Sequence, residues 1–156
     1  MKANIGISDE HTQKAAQKLN QILADEFVLY SKVRNCHWNI EGSNFMEMHK
    51  FYEGMYKDIE AIIDEIAERV RMLGHYAEGR LKDFLALTNL LEEEYTNNQK
   101  KQLENLLSDH ETLIRNLRND INIFTDEYKD LGNAEFLTGL LIMHEKWAWF
   151  VRSYLK

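Results

Sequence analysis

Four side chains in this sequence have the types and the spacing to do metal chemistry. His37 and His49 lie twelve residues apart around a turn-like stretch, Asn39-Ile40-Glu41-Gly42-Ser43-Asn44, and Asp64 and Glu68 follow four residues apart on one helical face. Imidazole and carboxylate together make a mixed nitrogen and oxygen shell that suits ferrous iron. Asp64 stands fifteen residues beyond His49 on what reads as the same helix. At about 1.5 Å per residue that is about 22 Å, whereas a metal–ligand bond is about 2 Å. If all four residues bind one centre, two copies of the chain must build it.

Each residue also has a plainer reading. Asp64 and Glu68 could form a solvated acidic stripe softened by Arg69 and Arg71. His37 could answer the dipole at a helix C-terminus, and His49 could be an exposed histidine. The alternative iron design puts a complete di-iron site inside one helical bundle with two Glu-x-x-His pairs. None of His11, His37, His49, His75, His110 or His144 has a glutamate three residues before it, so that design has no support here. His11, His75, His110 and His144 receive no role.

The elements that must carry these residues follow from composition and period. The 156-residue chain is the size of one domain, and it has no proline, which favours long uninterrupted helices. Its net charge of −7 argues against broad attraction to nucleic acid or anionic membranes and suits a protein that handles cations. A single cysteine, Cys36, allows no disulfide within the chain and fits a reducing compartment. Beside His37 it invites a metal role, but a small buried apolar residue is the simpler reading. The N-terminus lacks a signal-peptide apolar core, and no run of 18 apolar residues exists, so the expectation is a cytoplasmic protein with no membrane span.

The first helix is expected to begin near Ser8 and end near His37–Trp38. The second opens with a capping box, Asn44 and Glu47, and stops at Gly74. A short helix over 79–87 presses Leu81, Phe84 and Leu85 onto the bundle. The third long helix begins near Asn97 or Asn98 and the last near Gly132–Asn133. The last carries an apolar band wider than one core seam requires, which points to contacts with other subunits. The fold class is therefore all-α: a ferritin-like four-helix bundle with a short extra helix in the crossover between helices two and three. It forms one domain over 1–156 with a short tail at 1–7.

The stretch Asn35-Cys36-His37-Trp38-Asn39-Ile40-Glu41-Gly42, then Phe45, His49, Phe51, Tyr52 and Asp64-Glu65-Ile66-Ala67-Glu68-Arg69, resembles the Dps family of mini-ferritins. The similarity runs on to His144-Glu145-Lys146-Trp147-Ala148-Trp149. The resemblance implies a twelve-subunit hollow shell with a ferroxidase site at each two-fold interface. His37 and His49 would come from one chain, and Asp64 and Glu68 from its partner. It implies iron, Fe²⁺ oxidised to Fe³⁺, as metal and cargo, with hydrogen peroxide ahead of dioxygen as oxidant and a ferric mineral as product. Trp38 would be a nearby electron donor or plain interface packing; Trp147 and Trp149 read as packing. The family usually has aspartate four residues after the second histidine; here it is Glu53, which could bind a second iron or hold His49. Asp126, Asp130 and Glu135 surround the start of the last helix, where the family has its acidic three-fold pore, and Glu60 could line the route inward.

The family name suggests DNA binding, often through a lysine-rich tail. Here the first ten residues hold one base, Lys2, against Asp9 and Glu10, and the C-terminus offers Arg152 and Lys156. Twelve copies of a −7 chain carry about −84, which repels phosphate, so strong DNA binding is not expected. Three readings stand: a ferroxidase cage, a DNA-condensing protein with secondary iron chemistry, and an inert helical assembly.

Overall fold

The computed structural model describes residues 3–156; Met1 and Lys2, which begin the expected tail and include its one base, lie outside the described residues. Five helices follow in order: α1 (Asp9–Asn39), α2 (Phe45–Met72), α3 (Leu81–Leu87), α4 (Gln99–Asp126) and α5 (Leu131–Tyr154). The described residues contain no strand. The α1/α2 pair and the α4/α5 pair are hairpins joined by short turns, and the pairs pack together through α1 against α4 and α2 against α5. A 26-residue crossover, 73–98, links them and lays α3 along α1. This is the expected all-α bundle with an extra helix in its crossover.

Local chemistry explains most of the boundaries. The side chains of Ser8, Asn98 and Asp130 accept hydrogen bonds from the backbone N–H of His11, Lys101 and Asn133, capping α1, α4 and α5. Gly74, at φ 87°, ends α2: its N–H donates to the Arg71 carbonyl and the His75 N–H to that of Val70. That pairing satisfies two carbonyls left open by the helix end, and it needs a left-handed residue.

Two expectations are corrected. The capping box at Asn44 and Glu47 does not form. Asn44 holds the cap position, but its backbone is not extended and its side chain caps nothing. Its amide instead donates to Gln99 on α4, and the Glu47 carboxylate accepts from the Tyr154 hydroxyl on α5 at 2.6 Å. These side chains tie the start of α2 to its neighbours rather than to itself. Along α3, only Phe84 is buried, stacked on Phe27 at 4.5 Å, while Leu81 and Leu85 stay exposed on the protomer.

The apolar core has two clusters. One gathers Leu19, Leu23, Ile66, Val70, Leu117, Phe124 and Leu137; the other gathers Leu29, Val33, Met48, Tyr52, Met55, Leu103 and Trp147. Between these levels, by position along their helices, Glu26, His110 and His144 are buried completely. Ile142 and Trp149 on α5 remain about 60% exposed on the protomer, consistent with a band wider than the bundle seam. No described helix is long and apolar enough to cross a membrane.

Candidate metal centre

The α1/α2 hairpin brings His37, in the last turn of α1, against His49, in the first turns of α2. Their rings stack with centroids 3.7 Å apart and planes 18° from parallel. Nδ1 of His37 lies 2.7 Å from the backbone carbonyl oxygen of His49, and Nδ1 of His49 lies 2.9 Å from that of His37. A carbonyl oxygen can only accept, so each Nδ1 carries the hydrogen and donates it. Each Nε2 is then left with its lone pair, which is the form in which histidine binds a metal. Phe45 stacks on the outer side of His49 at 5.0 Å, and the edge of Tyr56 meets His37 at 5.2 Å.

The stacking limits what the two rings can hold. An Nε2 lone pair lies in its ring plane. With the planes nearly parallel and the ring centres 3.7 Å apart, each lone pair stays in its own plane. One ion about 2.1 Å from both nitrogens would sit far out of both planes. Turning either ring inward would break its bond to the opposite carbonyl. As placed, the pair offers two separate donor directions.

Glu53 lies one turn beyond His49 and pairs with Lys57, one further turn along α2. The Lys57 ammonium holds the Glu53 carboxyl below the usual range, and the two imidazoles act in the same direction more weakly. Glu53 in turn raises Lys57. Trp38 is 62% exposed on the protomer. The Arg34 guanidinium lies over Trp38, Tyr30 and Tyr56, at 5.1, 5.6 and 4.4 Å from their ring centres. Arg34 and Tyr56 received no role from the sequence. The signal was present, because Tyr30, Arg34 and Trp38 form an i, i+4, i+8 column on α1.

Asp64 and Glu68 point to solvent one turn apart, farther along α2. The protomer does not bring them to His37 and His49, and among the described residues no three His, Cys, Asp or Glu side chains gather into a group able to hold a metal ion. Glu60 accepts a hydrogen bond from the Tyr30 hydroxyl at 3.3 Å. At the α4/α5 turn, Asp126 and Glu135 are exposed, whereas Asp130 is buried and gives both carboxylate oxygens to Asn133. Burial pushes the Cys36 thiol up to about 12, so it stays protonated, as a small core residue would.

His110 and His144, also without a role from the sequence, form a second pair in the bundle core. Glu26 Oε1 lies 2.6 Å from His144 Nε2, the two Nδ1 atoms lie 2.9 Å apart, and His110 Nε2 lies 3.4 Å from the Met55 sulfur. One link comes from each of the four long helices.

Comparison with known proteins decides the family. Residues 16–156 match the ferritin-like domain. The chain belongs to the ferritin-like family, in its Dps branch. It is 42% identical over 154 residues to a low temperature-induced protein of Nostoc sp., covering 98% of this chain and 86% of that one. It is 28% identical to DNA protection during starvation protein 2 of Bacillus anthracis, covering 92% and 97%. Among solved structures, a Dps protein from Vibrio cholerae O1, described as one of the ferritin-like diiron-carboxylate proteins, superposes with a TM-score of 0.94 at 28% identity over 99% of this chain and 97% of that one. DpsC from Streptomyces coelicolor superposes with a TM-score of 0.95 at 26% identity, over 100% and 91%.

Proposed function

We propose that this Dps-family protein is a ferroxidase and iron store that consumes hydrogen peroxide, working as a cytoplasmic homo-oligomer, a dodecamer in the family pattern. The observation that carries the reading is the stacked imidazole pair. Two Nε2 lone pairs are held free by reciprocal bonds to backbone, while the carboxylates suited to complete the shell, Asp64 and Glu68, lie exposed elsewhere on the same helix. A partner chain in a two-fold arrangement would bring its Asp64 and Glu68 to this chain's His37 and His49.

Iron is the substrate. One Fe²⁺ is held by His37 with the partner's carboxylates, and a second by His49 with Glu53. Two ferrous ions each give one electron to one peroxide, the O–O bond breaks, and two protons complete two waters, so no hydroxyl radical is released. The ferric product moves inward and mineralises. Trp38, beside His37, would supply an electron to any stray oxidising equivalent. Asp126 and Glu135 form the acidic entrance for Fe²⁺; Asp130 contributes charge while it caps α5. Glu60 lines the inward route. Strong DNA binding is no part of this reading, because the net charge of −7 per chain opposes it.

The test is complementation between inactive variants. His37→Ala and Asp64→Asn should each abolish rapid Fe²⁺ oxidation by peroxide in a stopped-flow assay. Subunits of the two variants, dissociated together and reassembled, should regain part of the rate, because some interfaces then combine an intact His37 with an intact Asp64. Full activity in either variant, or no recovery in the mixture, would sink the shared site. Stable retention of plasmid DNA at moderate salt by the purified protein would favour the DNA-condensing alternative.

A further inference from the structure

Among the described residues, Lys57 is the cation paired with Glu53, a carboxylate of the candidate centre. Glu53 occupies the turn between His49 and Lys57, and its carboxylate can serve either the ion at His49 or the ammonium at Lys57. In the protomer it serves Lys57, through a direct Nζ to Oε1 contact. Glu53 lies one helical turn from His49 on the same face of α2, so the competition is local.

We propose that Lys57 acts as a built-in counter-cation for Glu53, making the second Fe²⁺ bind by exchange with an ammonium. On this view Lys57 determines the occupancy of the second position and leaves the first unaffected. The inference rests on the iron reading above and deepens it. For the first ion, on His37 and the partner's carboxylates, no ammonium among the described residues forms an ion pair with Asp64 or Glu68. The second must release Lys57 from Glu53 and hold its own charge near a displaced ammonium. An exposed ion pair is weak and salt-sensitive, so Lys57 sets the relative affinity of the two positions and does not block the second.

The experiment is an anaerobic calorimetric titration of the assembled protein with Fe²⁺ alone. Wild type should show two classes of site, one per position. Lys57→Gln should tighten the weaker class by about two- to fivefold and leave the tighter class unchanged. Lys50→Gln, which removes the same charge from α2 beside His49, is the control for general electrostatics and should change the weaker class less than twofold. The effect of Lys57→Gln should vanish when Glu53→Gln is also present, because the contested carboxylate is then gone. Equal shifts in both classes, an equal effect of Lys50→Gln, or persistence of the effect in the double variant would each overturn the proposal. His37→Ala in the same titration separates this from the broader reading. If it removes no class of site, the iron centre itself is wrong, whatever Lys57 does.

Discussion

The bundle contains two histidine pairs, and they are built in opposite ways. His37 and His49 sit at the edge, where α1 turns into α2, and bond to each other's backbone; no bond joins their ring nitrogens. Each ring is fixed through one nitrogen and keeps the other available. His110 and His144 sit in the core, fully buried, and bond through their rings to each other, to Glu26 and to the Met55 sulfur. Every nitrogen of that pair is spent, while one Glu26 oxygen, Oε2, is left with no hydrogen-bond partner. The same residue type thus makes an open donor set in one place and a closed internal crosslink in the other. What separates them is the hydrogen-bond partner: backbone carbonyls orient a ring without consuming its metal-binding atom, and ring-to-ring contacts do consume it.

The largest expected effect breaks the edge pair. Losing a single hydrogen-bond partner of a ligand typically costs 10–100-fold in metal affinity, and removing the ligand itself costs more. His37→Ala should therefore lower affinity for the tighter Fe²⁺ by more than about 100-fold, with little change in the melting temperature of the assembled protein. His144→Ala should do the reverse. It leaves the fully buried Glu26 carboxyl without its hydrogen-bond partner, which costs about 1–3 kcal/mol in stability, while peroxide-dependent iron oxidation by the protein that remains folded should stay within about twofold of wild type. Denaturant unfolding and stopped-flow oxidation on the same samples would check both. If His144→Ala abolished oxidation without unfolding the protein, the two pairs would not be functionally separate.

Acid should sharpen the contrast. Burial, followed by the neighbouring His144, holds His110 well below the ordinary histidine range. In the unfolded chain it titrates near its ordinary value of about 6.5. Below that pH the unfolded chain takes up a proton that folded His110 refuses, so stability falls as pH drops, by up to about 1.4 kcal/mol per pH unit from this residue. His110→Leu should flatten that part of the profile below about pH 6.5, measured by unfolding across the acid range.

How much of this could be read from the chain depended on whether a feature is local. Helix starts at Ser8 and Asn98 and the stop at Gly74 were legible because each is set within a few residues. The approach of His37 to His49 was legible for the same reason: they flank one turn, and their distance from Asp64 follows from helix rise. The core chain was not legible, because Glu26, Met55, His110 and His144 come from four helices and share no spacing. The Asn44 cap failed for a related reason. Its sequence context fits a capping box, but Gln99 and Tyr154, distant in sequence, claim Asn44 and Glu47.

That misread cap yields the smallest effect, and it bears on how the edge pair is held. Asp130→Ala removes a real cap together with the buried bonds to Asn133, and should cost about 1–2 kcal/mol. Asn44→Ala removes no cap, so its cost should stay below about 0.5 kcal/mol, less than an N-cap replacement of that kind would give. Its loss should be felt where the side chain acts, in the tie between the 40–44 turn and α4. Hydrogen exchange at the backbone amides of residues 40–48 should accelerate in Asn44→Ala and remain unchanged in Asp130→Ala. If the two variants cost the same and the exchange of the turn does not respond, then Asn44 caps α2 after all, and the hairpin that stacks the two imidazoles is held by its own helix rather than by α4 and α5.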